Sequence, residues 1–161
     1  MRIIVADASP RIGLASADML HLLPELFAAV LIPEAVREEL KVDSARPGAR
    51  RLARAIEESW LQVCTAPAPR HQIPVVLDAG EHAAINLAVD RNCLLLIDDS
   101  RGRNVAGKQG IAIIGTGRVL LEARKRNLID SVAQALARLQ ETGYRLSAAL
   151  HARLLELAGE S

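Results

Sequence analysis

"CLLLIDDSRGR", residues 93–103, is the stretch whose reading decides the fold. Five apolar residues end in two adjacent carboxylates, Asp98 and Asp99, and arginines follow at positions 101 and 103. A short, unbroken apolar run bounded by charge reads as a strand buried on both faces, the kind found in parallel sheets covered by helices. The acidic pair at its end poses a second question. Neighbouring carboxylates repel, and each gains by protonation unless a cation or strong donors stabilise it.

Working outward, "RIIVA" is a second β-branched run and stops at Asp7, while "FAAVLIP" and "WLQVC" read as further strands and "IAIIG" as the last. Between them the apolar spacing is helical: "SPRIGLASADMLHLL", with Ser9 as N-cap and Pro10 at the first helical position; "PEAVREELK"; "ARRLARAIEES"; "LDAGEHAAINLAVDRN"; and "SRGRNVAGKQG", closed by Gly110. "TAPAPRHQIP" is a surface loop, and from Thr116 onward the chain is helical, with C-terminal helices from about residue 130 to 161. Strands alternating with helices imply crossover connections. The fold class is therefore α/β in three layers, a central, mostly parallel sheet flanked by helices, with 1–161 expected to form one domain.

Half of the 161 residues are apolar, which excludes disorder, and only three are aromatic, which argues against modules that stack bases on aromatic platforms. Lys and Arg number 20 against 19 Asp and Glu, so any polyanion partner needs a local basic patch. Cys64 and Cys93 lack C-x-x-C spacing and are expected as buried thiols of a reducing compartment. No export signal or membrane-length apolar run is legible, and a cytoplasmic location is expected.

In an α/β sheet, ligands bind at the carboxyl ends of strands near a topological switch point. Asp7, Asp98 and Asp99 lie at such ends, and Glu39 and Glu81 lie on helices able to present them to the same edge. Four or five carboxylates around one point call for a divalent cation, and oxygen-only ligation suits Mg²⁺ or Mn²⁺. Each residue also has a structural reading. Asp7 and Asp99 could cap the helices that follow, Glu39 could be a solvated helix carboxylate, and Asp78-x-x-Glu81 reads as a capping box. Two other carboxylate-rich classes fit poorly. Ser9 stands where a haloacid-dehalogenase-type phosphatase needs its acid, and "IAIIGTG" supplies no lysine for a receiver-like phosphoacceptor domain.

The same residues carry a resemblance. "IVADASP", "LIPEAVREEL", "LDAGEHAAINLA", "LLLIDDSRGRNVA", "GIAIIGTGRVLLEARKRNLI" and the C-terminal helical segment look like a PIN domain, specifically the toxin-like subfamily related to VapC ribonucleases. The resemblance covers essentially the whole chain. It implies a metal-dependent ribonuclease with catalytic residues Asp7, Glu39, Glu81 and Asp99, and a metal site formed by these four and Asp98. It implies further that Ser9 orients a carboxylate or a water, that the protein forms a homodimer, and that an antitoxin protein is a partner. The position two before the final Asp, usually a hydroxyl residue in the family, is Ile97.

From the pattern around Asp99, Arg101, Arg103 and Lys108 are the candidate RNA-binding residues, with Arg50, Arg51 and Arg54 and the run Arg124–Lys125–Arg126 as basic faces that could equally be solvated. The expected reaction is hydrolysis of an RNA phosphodiester by water, leaving a 5′-phosphate. The alternative is a PIN-fold module that binds protein or RNA without catalysis.

Overall fold

The computed structural model describes residues 2–35, 48–65, 67–68 and 77–161. Glu39, the helix expected from "PEAVREELK" beyond Ala35, and most of the "TAPAPRHQIP" segment lie outside the described residues. Five strands, β1 (Ile3–Ala6), β2 (Ala29–Pro33), β3 (Leu61–Cys64), β4 (Leu94–Leu96) and β5 (Ile113–Ile114), form one sheet in the order β3-β2-β1-β4-β5. Every pairing is parallel. Eight described helices cover it: α1 (Ala8–Ser16), α2 (Leu22–Leu26), α3 (Ala49–Glu57), α4 (Ala79–Arg91), α5 (Ser100–Lys108), α6 (Thr116–Lys125), α7 (Val132–Glu141) and α8 (Ala148–Ala158).

The strand parity divides the core. Ile4, Ala6, Val30, Ile32 and Leu96 pack under α1, α2, α3, α6, α7 and α8, while Val5, Leu31, Leu95 and Ile97 pack under α4 and α5. Both faces are dry because successive strand residues point to opposite sides and both sets are apolar. The order places the switch point between β1 and β4: the chain moves outward from β1 to β2 and β3, then crosses back through α4 to lay β4 on the other side of β1. Ala6 sits opposite Leu96, so the residues that follow, Asp7 and Ile97–Asp99, emerge side by side at that point.

Local differences from the sequence reading have simple causes. The first helix starts at Ala8, with Asp7 and not Ser9 as N-cap, so Pro10 is its third residue; proline is tolerated there because first-turn amides have no intrahelical acceptor. It ends at Ser16, where Asp18 takes a left-handed φ of 59°, and α2 follows as a separate short helix. Gly110 has φ 77° just past α5, as a helix stop requires. Cys64 and Cys93 are free thiols but half-buried, not sealed in the core. No helix among the described residues is long and apolar enough to cross a membrane.

Candidate active site

Asp7 follows β1 directly, and its amide donates to the Leu96 carbonyl at 2.9 Å, so the sheet ladder itself fixes the residue at the switch point. Its side chain makes no capping bond to the later amides of α1. The residue is only 4 % exposed, and burial pushes the carboxyl up to about 6; the charges of Glu81 and Asp78 push the same way, against the Ala8 amide and the Arg11 guanidinium. Arg11 is fully buried one turn along α1, and its Nε donates to the Asp7 carbonyl oxygen at 3.1 Å.

Glu81 enters the same neighbourhood from the first turn of α4. The capping box legible in the sequence is present: Asp78 Oδ1 accepts from the Glu81 amide at 2.8 Å, and Glu81 Oε2 accepts from the Asp78 amide at 3.4 Å. The long return bond is the weaker half of the box. Partial burial, then the charges of Asp78 and Asp99, raise the Glu81 pKa, while Arg101 opposes them. Asp78, which the sequence marks only as a cap, is therefore a member of the acidic group. The signal was its place three residues before Glu81, which puts both carboxylates at one helix N-terminus.

The adjacent pair at the end of β4 is resolved by parity. Leu96 faces the α6 side and Ile97 the α4–α5 side, and the alternation continues through the two acids. Asp98 turns toward α6, where Oδ1 accepts from the Thr116 amide at 2.8 Å and Oδ2 from the Thr116 hydroxyl. The Tyr144 hydroxyl lies beside both residues, and burial, with the Asp98 charge behind it, holds its pKa above the usual range. Asp99 turns the other way: Oδ2 accepts from the Gly102 amide at 2.8 Å as N-cap of α5, within reach of the Glu81 charge. Each acid thus has its own donors, and no shared cation is needed to explain why they are neighbours. Asp98, expected in the metal shell, accepts from Thr116 on the α6 side.

The structure therefore brings Asp7, Asp78, Glu81 and Asp99 to one side of the sheet edge, with Asp98 on the other. Exposed Arg101 is at the cluster, near enough to lower the Glu81 pKa. Arg103 bends inward, its Nη1 donating to the Ile97 carbonyl at 3.1 Å, so it braces the strand end. Lys108 ends α5 about 10 Å along the helix from Arg101, so it is not beside the acidic edge. Ser9 is exposed in the first turn of α1. Of the basic run on α6, Lys125 pairs with Glu122 at 3.6 Å, and Arg126 Nη1 reaches the Glu25 carbonyl at 3.4 Å.

The donor set suits a hard divalent cation: a buried carboxyl raised by burial and like charges is a place short of positive charge, and all the donors are oxygen. Among the described residues, no three His, Cys, Asp or Glu side chains stand close enough to hold an ion as placed. The fit is one of chemistry and location. Glu81 keeps a second oxygen, Oε1, outside the capping box for ligation.

No curated protein matches the sequence. Among solved structures, the chain is similar to a PilT N-terminus domain protein from the hyperthermophilic archaeon Sulfolobus solfataricus P2, with a TM-score of 0.54 and 17 % identity over 75 % of this chain and 92 % of that one, a likeness of fold. The model of the family DUF3368, described as a PIN domain, matches residues 3–160. A parallel sheet with an acidic switch point and a family match over nearly its full length make this chain a member of the PIN-domain family.

Proposed function

We propose that the chain is a Mg²⁺- or Mn²⁺-dependent endoribonuclease that hydrolyses RNA phosphodiester bonds, and that it is the toxin of a toxin–antitoxin pair. PIN domains are typically nucleases and usually use divalent metals. The single observation that carries the reading to this chain is Asp7: a carboxyl 4 % exposed, raised to about 6, at the switch point between β1 and β4 with Glu81 and Asp78 beside it. Evolution of a fold does not require an acid to be buried against other acids, and the arrangement costs stability unless a cation relieves it.

In this reading Asp7, Glu81 and Asp99, with Glu39 as the further expected member, would hold the ion. When bound, such an ion activates water and stabilises charge building on the phosphoryl group and the leaving oxygen. The chain's own residues do the rest. Asp7, rigid on the sheet, sets the position of the site; Asp99 is held by its bond to Gly102; and Arg101 offers an exposed guanidinium to the scissile strand's phosphates. The antitoxin and a homodimer are partners proposed on the same toxin-like reading, as is a cytoplasmic location.

Incubating labelled single-stranded RNA with the protein in Mg²⁺, Mn²⁺ or EDTA, beside Asp7→Asn, tests the proposal. Metal-dependent cleavage with 5′-phosphate ends, lost in Asp7→Asn, is expected. A non-catalytic RNA- or protein-binding module is the second reading, favoured by the engagement of both Glu81 and Asp99 in helix caps. Intact RNA under every metal condition would select it.

A further inference from the structure

The first eight residues of "ARRLARAIEES" set three arginines on one short helix, and the function proposed above uses none of them. In the structure, Arg50, Arg51 and Arg54 of α3 line a hollow of about 370 Å³ with Gly48. Arg51 and Arg54 also line the adjoining hollow, of about 270 Å³, together with His21 and Trp60. The two hollows share Arg51 and Arg54, so they adjoin along α3 as the two halves of a candidate channel. Two acids also touch the second hollow: Asp18, which takes up Arg51 at 3.1 Å, and Glu58. Arg51 is further anchored by donating from Nη1 to the Ala15 carbonyl at 3.0 Å, so Arg50 and Arg54, both exposed, are the arginines available to a ligand.

The chemistry of the channel is mixed in a particular way. At one end are guanidinium groups, which bind phosphate oxygens with matched geometry. At the other end are the protein's single tryptophan, half-buried, and an exposed histidine, flat rings on which a base can stack. A duplex buries the faces of its bases in the stack, so it has none to lay on a ring. One unpaired strand offers phosphate and base together. The channel and the acidic edge lie at opposite ends of α1, with Asp7 before its first turn and Ala15 in its last, about 12 Å apart along the helix.

We infer that the channel along α3 is a binding track for single-stranded RNA flanking the cleavage site, with Arg50 and Arg54 on backbone phosphates and Trp60 against a base. This rests on RNA being the substrate, yet binding is separable from cleavage. Phosphate contacts contribute affinity in any sequence, and the one stacking ring tolerates any base, so the track contributes reach and not sequence choice. Arg51 holds the helix to α1 and Asp18 and is left in place in the test.

The test measures anisotropy of a short fluorescein-labelled single-stranded RNA in EDTA, where no cleavage occurs, across a salt series, while Trp60 emission is followed with unlabelled RNA. Arg50→Gln combined with Arg54→Gln is expected to weaken binding and to lower the slope of log affinity against log salt by about 1.4, about 0.7 for each lost phosphate contact. Saturating RNA quenches Trp60 in the wild type. No binding by the wild type, an unchanged slope in the double variant, or unaltered Trp60 emission at saturation overturns the track. Binding with these signatures but without cleavage in Mg²⁺ or Mn²⁺ would sink the nuclease reading and leave the track standing; cleavage with an unchanged slope would do the reverse.

Discussion

Replacing Asp7 by asparagine should make the metal-free protein more stable at neutral pH, even though it destroys the proposed site. The carboxyl ionises at about 6 in the folded chain against an ordinary 3.8. A difference of that size corresponds to about 3 kcal/mol between its two protonation states. Because the folded form holds the proton more tightly, the stability this group contributes is fully present below pH 3.8 and is lost as pH rises through about 6. At pH 7.5 the wild type carries that loss in full, while asparagine, nearly the same shape, never ionises. Burying the asparagine amide offsets about 1 kcal/mol or more, leaving a net gain of about 1–2 kcal/mol. For a chain of this length that is about 2–4 °C per kcal/mol in Tm. Thermal melts in EDTA from pH 4 to 8 should show the variant level with or slightly below the wild type at the acid end, gaining on it between about pH 4 and 6, and holding a constant lead above that. Adding Mg²⁺ or Mn²⁺ should raise the Tm of the wild type alone. A variant less stable than the wild type in EDTA at pH 7.5, by a margin that does not change with pH, would refute the reasoning. It would mean that Arg11 and the Ala8 amide outweigh burial and the neighbouring acids.

Asp98→Ala strips the Thr116 amide and hydroxyl of their acceptor, and Thr116 is only 1 % exposed, so urea unfolding should show a loss of about 1–3 kcal/mol. Gly117→Ala would bring a Cβ to 2.7 Å from Leu154 Cδ1, and because Leu154 is buried its side chain must repack against the neighbouring core at about 1–3 kcal/mol, read in the same titration. Glu160 accepts from the Ser131 hydroxyl and the Val132 and Ala133 amides at the start of α7, bonds that lower its pKa. Its stabilisation is therefore present above the ordinary carboxyl range and fades as pH falls through the lowered value. Glu160→Gln should cost about 1 kcal/mol at pH 7 and progressively less as the pH falls through the lowered value, measured by denaturation across the acid range.

The sequence by itself determined the layers. "CLLLI" and "IIV" are apolar at every position, which only a sheet covered on both faces accommodates, and the observed sheet is parallel throughout. The helix from Ala79 to Arg91 with its capping box, the stop at Gly110 and the position of Asp7 at a strand end were legible because each depends on a few residues in sequence. The roles of the acids were not. Whether Asp98 and Asp99 share a site depends on which face each turns to and on what lies there, and Thr116 and Tyr144 arrive from 18 and 46 residues further along the chain. Nor does spacing place Lys108 at the far end of α5 from Arg101, bind Arg103 to the Ile97 carbonyl, or join Arg54 and Trp60 in one channel. Local pattern fixes what each segment becomes, because backbone propensity and hydrophobic period act over a turn or a strand. Charge acts through space, so which carboxylates meet at β1 and β4, and how far burial raises Asp7, was decided only when the order β3-β2-β1-β4-β5 closed the sheet.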